Sequence, residues 1–174
     1  FVGKRKELNQ RENERILQYS KDVVMKQAVY LRCMEVLKTS EYGNKYLYSK
    51  GFNSDEWNKW FGYGIYEAYK VRGKFSTYFS PAITMPIVGI GEVVENVKLR
   101  VTEALHKDDR FRNIYKSGNQ HPYLPMHEEK IKNKVAIIEG EMKSNQVAMR
   151  GNLPEDVQII ATQGKGIGSR LLYM

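Results

Sequence analysis

The chain has 174 residues, a net charge of +8, 41% apolar and 11% aromatic residues, and one cysteine. At that size a chain buries roughly 70% of its unfolded surface, so the composition supports a folded core and excludes a disordered tail. The longest uncharged stretch, residues 75–91, is broken by Pro81, Pro86, Gly89 and Gly91 and falls short of a membrane-spanning helix. The lone Cys33 excludes an internal disulfide and is expected to be a buried, inert thiol.

The first element is expected over residues 8–39. Ile16, Val23, Tyr30 and Leu37 recur every seven residues, with Leu17, Val24 and Leu31 beside them, which makes a broad apolar stripe on a long amphipathic helix. Ser20, Gln27 and Met34 fill the positions where a dedicated coiled coil needs apolar residues. The polar start, with Lys4, Arg5, Lys6 and Arg11, is expected to project from the body, and Gly43 and Asn44 to end the helix.

A second, aromatic-rich helix is expected from Asn53 or Ser54, where Asp55 and Glu56 suit a positive helix end. Trp57, Trp60, Phe61, Ile65, Ala68 and Tyr69 follow at helical spacing, and Gly62 and Gly64 point to close packing by another element. Residues 75–91 read as extended. Residues 92–106 fit either a helix or a strand, and their length and Glu-rich start favour the helix. The last forty residues read as β structure, with runs at Val135–Ile138, Val147–Met149, Val157–Thr162 and Ile167–Tyr173. The sum is an α+β fold: a helical part (1–74) and a mixed part (75–174) with C-terminal antiparallel β-hairpins, together one compact domain.

Charge is weighted to the first half. Residues 1–40 hold nine basic against five acidic side chains, whereas residues 75–130 balance at seven each. Such a surface attracts nucleic acid or an acidic partner. Lysines outnumber arginines 18 to 10, which favours diffuse phosphate attraction over base reading. Tyr and Trp crowd into residues 42–69 among Lys45, Lys50 and Lys59. They suit base stacking, but equally a protein interface, which their helical spacing favours.

Chemistry is sparse. Residues 135–143 (VAIIEGEMK) place Glu139, Glu141 and Lys143 on one side of an extended strand. Two carboxylates can hold a hard cation and a lysine can orient water. This triplet resembles the Glu-x-Lys half of the restriction-type nuclease motif, with Asp108 or Asp109 as the upstream carboxylate, although the Pro-Asp pair is missing. The resemblance implies magnesium as cofactor; without it no cofactor is expected. Residues 164–170 (GKGIGSR) lack the Walker and Rossmann orders and read as a hairpin tip bearing Lys165 and Arg170. His106, His121 and His127, with Glu128 or Glu129, match no metal-site spacing.

The absence of a strong catalytic signature weighs against an enzyme. The leading expectation is a non-catalytic building block of a virus or phage particle or a ribonucleoprotein. Lys4, Arg5, Lys6, Arg11, Lys45, Lys59, Trp57, Trp60, Lys165 and Arg170 would then contact neighbouring subunits, copies of itself, or DNA or RNA. A free-standing nucleic-acid-binding module is the second reading, and a magnesium-dependent nuclease built on Asp108, Glu139, Glu141 and Lys143 the third. The expected location is cytoplasmic or inside an intracellularly assembled particle, with no membrane partner.

Overall fold

A computed structural model describes residues 2–52, 60–88, 94–113 and 132–162. Helix α1 (Val2–Thr39) is followed by α2 (Glu41–Ser49), then by β1 (Gly64–Arg72), β2 (Thr77–Val88), β3 (Val94–Val101) and β4 (Phe111–Asn113). The last described unit is β5 (Lys134–Glu139), helix α3 (Glu141–Arg150) and β6 (Val157–Thr162). The α+β class stands. Strands β1 to β4 form an antiparallel sheet in chain order, and β5 and β6 form a separate parallel pair. No helix among the described residues is long and apolar enough to cross a membrane.

Only one row of the α1 stripe is used along its described C-terminal half. Tyr30, Cys33 and Leu37 are buried, whereas Val24 and Leu31 are exposed. Gly64 makes the approach of α1 to β1 possible, because a Cβ there would lie 2.6 Å from the Cys33 backbone. The expected close packing at Gly64 is therefore present, but on a strand. Burial pushes the Cys33 thiol up to about 11, in keeping with an inert core position.

Ser40, not Gly43, separates the first two helices. Its extended backbone breaks α1, and its hydroxyl accepts the Gly43 N–H at 3.2 Å, capping α2. Gly43 serves packing instead, since a Cβ there would come within 2.7 Å of Leu37.

Three expectations are corrected. Trp60 and Phe61 are helical, but Ile65, Ala68 and Tyr69 belong to β1 and do not continue the helix; Trp57 is outside the described residues. Residues 94–101 are strand β3, because both of its faces are covered. Val97 packs with Tyr30 of α1 on one face, while Lys98 and Arg100 on the other reach Glu141 of α3 and Tyr46 of α2. That helix-like density of apolar and polar residues is a doubly buried strand. Finally, the two described C-terminal strands, β5 and β6, pair in parallel. Val147–Met149 lies in helix α3, which connects two parallel strands. Residues 167–173 lie outside the described residues.

The larger core cluster joins Leu37, Leu47, Phe52, Phe61, Tyr63, Ile65, Ile83 and Met85, with Met142 and Met149 of α3 packed against it. Phe52 stands edge-on to Phe61 and Tyr63 at 5.9 and 5.1 Å. The crowded aromatics of this region thus build the core that seats α3.

Candidate functional site

Strands β5 and β6 run parallel with Glu139 opposite Thr162 at their shared carboxyl end. The Gly140 N–H donates to the Thr162 carbonyl at 3.1 Å, which closes the pair. Gly140 then turns the chain with φ of 91°, a left-handed conformation that favours glycine. Helix α3 starts at the next residue. In open sheets with parallel strands, ligands bind beyond the carboxyl ends of the strands. Glu139 stands at that end and is exposed.

The strand stops at Glu139, so Glu139, Glu141 and Lys143 do not share one strand face. Glu141 opens α3 and turns inward, where it pairs with Lys98 from β3; their side chains are 2% and 8% exposed. Breaking such a pair leaves a buried charge behind, at a cost of about 3–5 kcal/mol. Glu141 therefore fixes α3 to the antiparallel sheet. Next to it, the Ser144 hydroxyl donates to the Glu141 carbonyl at 2.7 Å, and Asn145 donates to the Tyr63 hydroxyl at 2.7 Å. The buried face of α3 is thus largely polar. Lys143 is exposed.

Asp108 and Asp109 lie in a short helical turn after β3. Asp109 is buried and accepts a hydrogen bond from the Tyr78 hydroxyl at 3.3 Å. A Cβ on Gly73 would meet its carboxylate at 2.5 Å, so Asp109 is seated against the β1–β2 turn. Of the two expected upstream carboxylates, Asp109 is thus engaged against that turn, and Asp108 is exposed on the short helical turn beside it.

Of the expected contact residues, Lys4, Arg5, Lys6 and Arg11 lie on the first turns of α1, and Lys45 is exposed on α2. Trp60 is 45% exposed. Trp57, Lys59, Lys165, Arg170, His121, His127, Glu128 and Glu129 lie outside the described residues. Among the described residues no three His, Cys, Asp or Glu side chains gather as a metal site. Sequence reading missed the roles of Gly140, Thr162 and Lys98. A signal for the first two was present: an apolar run, a glycine, an acid-led segment and a second apolar run compose a strand–helix–strand unit.

No protein-family description and no curated protein sequence matches the chain. Solved structures do. A DnaG catalytic core superposes with a TM-score of 0.62 at 14% identity, covering 82% of this chain and 54% of that one. A DnaG primase catalytic domain bound to ssDNA gives 0.63 at 13% identity, with coverages of 86% and 58%. A DNA primase domain from Pseudomonas aeruginosa gives 0.58 at 15%, with 80% and 53%. The likeness is one of fold, and the chain spans little more than half the length of these structures. It corrects the reading as a non-catalytic virion or assembly component, because the shared architecture is that of enzyme catalytic cores. That reading rests on missing motifs, a long half-polar helix and an aromatic cluster, whereas the resemblance lies in topology.

Proposed function

We propose that the chain is a polynucleotide-binding part of a nucleotidyl-transfer enzyme, with the reacting end of the nucleic acid at the carboxyl ends of β5 and β6. The observation behind this reading is the exposed Glu139 at the end of a parallel strand pair, in a fold otherwise seen in primase catalytic cores. The net charge of +8 supplies the attraction for phosphates. Magnesium is often held by one or two carboxylates with substrate phosphates completing its shell. Glu139 fits such an ion when substrate is bound, and Glu141, neutralised by Lys98, does not contribute to it. The ion would neutralise charge developing on the transferred phosphate.

The test has two parts. Binding of labelled single-stranded and duplex oligonucleotides is followed by fluorescence anisotropy against salt, and magnesium-dependent nucleotide incorporation is measured in the full-length protein. Glu139→Gln is expected to abolish incorporation while leaving oligonucleotide affinity within about twofold, since one rim charge contributes little to binding. Unchanged incorporation by Glu139→Gln would remove Glu139 from the site. Absence of any oligonucleotide binding would sink the whole reading.

A further inference from the structure

The hairpin of β1 and β2 carries a surface that the Glu139 site does not use. Phe75 and Phe79 are 73% and 68% exposed, more than any other aromatic residue described. Lys70 is the cross-strand partner of Phe79, and Arg72 that of Thr77, so Lys70, Arg72 and Phe79 share one open face. At the tip, Lys74 lies 5.3 Å from the Phe75 ring centre, and the His106 ring stands edge-on to the same ring at 5.0 Å. Lys107 adds a further exposed cation beside His106.

The hairpin is held from behind. Val71 is fully buried on its other face, and the Tyr78 hydroxyl accepts the Leu105 N–H at 3.1 Å while donating to Asp109. That fixes the turn after β3 against the hairpin and withdraws Asp109 from the surface. The exposed acids of that connection are Glu103 and Asp108, against the exposed Lys70, Arg72, Lys74, Lys107 and Arg110, so positive charge prevails around the rings.

We propose that this hairpin is a stacking platform for single-stranded nucleic acid: bases lie on Phe75 and Phe79, and the backbone follows Lys70, Arg72 and Lys74. The proposal deepens the polynucleotide reading above and rests on it. Two largely exposed rings beside alternating cations, with the flexible Lys74 free to swing from the Phe75 ring to a phosphate, suit a ligand that is both planar and anionic, as an unpaired strand is. An acidic protein segment would satisfy the charges and leave the rings in water. A duplex hides its base faces.

The experiment compares the full chain with Phe75→Leu/Phe79→Leu and with Lys70→Gln/Arg72→Gln, each checked by thermal melting. The probe is a labelled oligothymidylate, with a duplex of equal length as control. Leucine keeps apolar bulk and removes the ring face. The double Leu variant is expected to lose roughly 5- to 150-fold in single-strand affinity for each stacked base lost, with little change for duplex. The Gln variant is expected to flatten the salt dependence by about 0.7 in log–log slope per cation that contacts phosphate. If the wild type binds the oligothymidylate and the Leu variant binds it equally well, the platform is overturned while the polynucleotide reading stands. Equal losses for duplex and single strand would also overturn it, leaving a charge patch for any polyanion. If the wild type binds no oligonucleotide, both proposals fall.

Discussion

In β3, the side chains from Asn96 to Leu99 are all buried, whereas in β5 Val135 and Ile137 remain 50% and 49% exposed. The strands that pair with them are both buried, so the difference lies in β5 alone. β2 is buried along Ala82–Ile87, held between its neighbours and two helical layers, while β6 is buried along Gln158–Thr162 and leaves β5 as the open side of its pair. Parallel sheets ordinarily have both faces covered, so the open face of β5 is surplus apolar surface next to Glu139. The antiparallel sheet is a fixed frame, and the parallel pair is the accessible part mounted on it. Elements that bind ligands tend to come from the less protected parts of a structure.

The joint between the two regions is the strongest place to break this comparison. Glu141→Ala removes the partner of a buried lysine and is expected to lower stability by about 3–5 kcal/mol, close to the whole margin of a small domain. Lys98→Met/Glu141→Leu removes both charges and is expected to recover most of that loss. Chemical denaturation of both variants checks it. A loss below about 1 kcal/mol for the single change would mean that water reaches the pair, because only exposed ion pairs cost so little.

Leu99→Ala tests the frame itself. Leu99 is fully buried in β3, and truncating such a leucine costs about 2–5 kcal/mol, depending on how far the cavity collapses. The loss is expected as a lower denaturation midpoint with an unchanged slope.

Alkaline pH strains the same α1–sheet contact more gently. Burial pushes Tyr30 up to about 12 and Cys33 up to about 11, above ordinary values of 10.0 and 9.0. Both groups keep their protons in the folded chain after the unfolded chain has lost them. Their contribution is therefore complete below pH 9 and declines as pH rises through 9–11 for Cys33 and 10–12 for Tyr30. The expected loss is on the order of 4 kcal/mol at pH 11, the larger part of it from Cys33. Urea titrations at pH 8 and at pH 11 read it out, and Cys33→Ala, which deletes one of the two groups, should make the decline shallower. A pH profile identical in that variant would place the thiol in water.

Parts of this architecture are legible in the residues. The seven-residue row ending in Tyr30 and Leu37 marks α1, because a helix packed along one side repeats its contacts at that interval. β3 escapes such reading: Asn96, Lys98 and Arg100 look like a solvated face, but the layer that covers them supplies polar partners from distant segments. The partner of Lys98 is 43 residues away. α3 is masked for a related reason, since its buried positions include Glu141, Ser144 and Asn145, which no hydrophobic period reveals. Glu139 stands out as an acid after an apolar run. Its setting does not, because Thr162 and Glu139 meet only through a crossover pairing that local pattern cannot specify. The exposed aromatics of the β1–β2 hairpin are hidden likewise, since Phe75 and Phe79 look like core residues until the ends of the layers are known.

The smallest effect is expected on the open strand. Ile137 projects from β5 with half of its surface already in water, so its removal forfeits only the covered half and leaves no closed cavity. Ile137→Thr keeps the β-branched shape that a strand favours and is expected to cost within about 0.5–1 kcal/mol, several times less than Leu99→Ala. The two variants measured side by side decide whether β5 is open. A cost for Ile137→Thr comparable to that of Leu99→Ala would show that another part of the protein covers this face in solution. The Glu139 end would then lie in a closed cleft instead of on an accessible rim. A negligible cost, together with unchanged oligonucleotide affinity, would leave β5 as an edge that presents Glu139 without contributing to the strength of the fold.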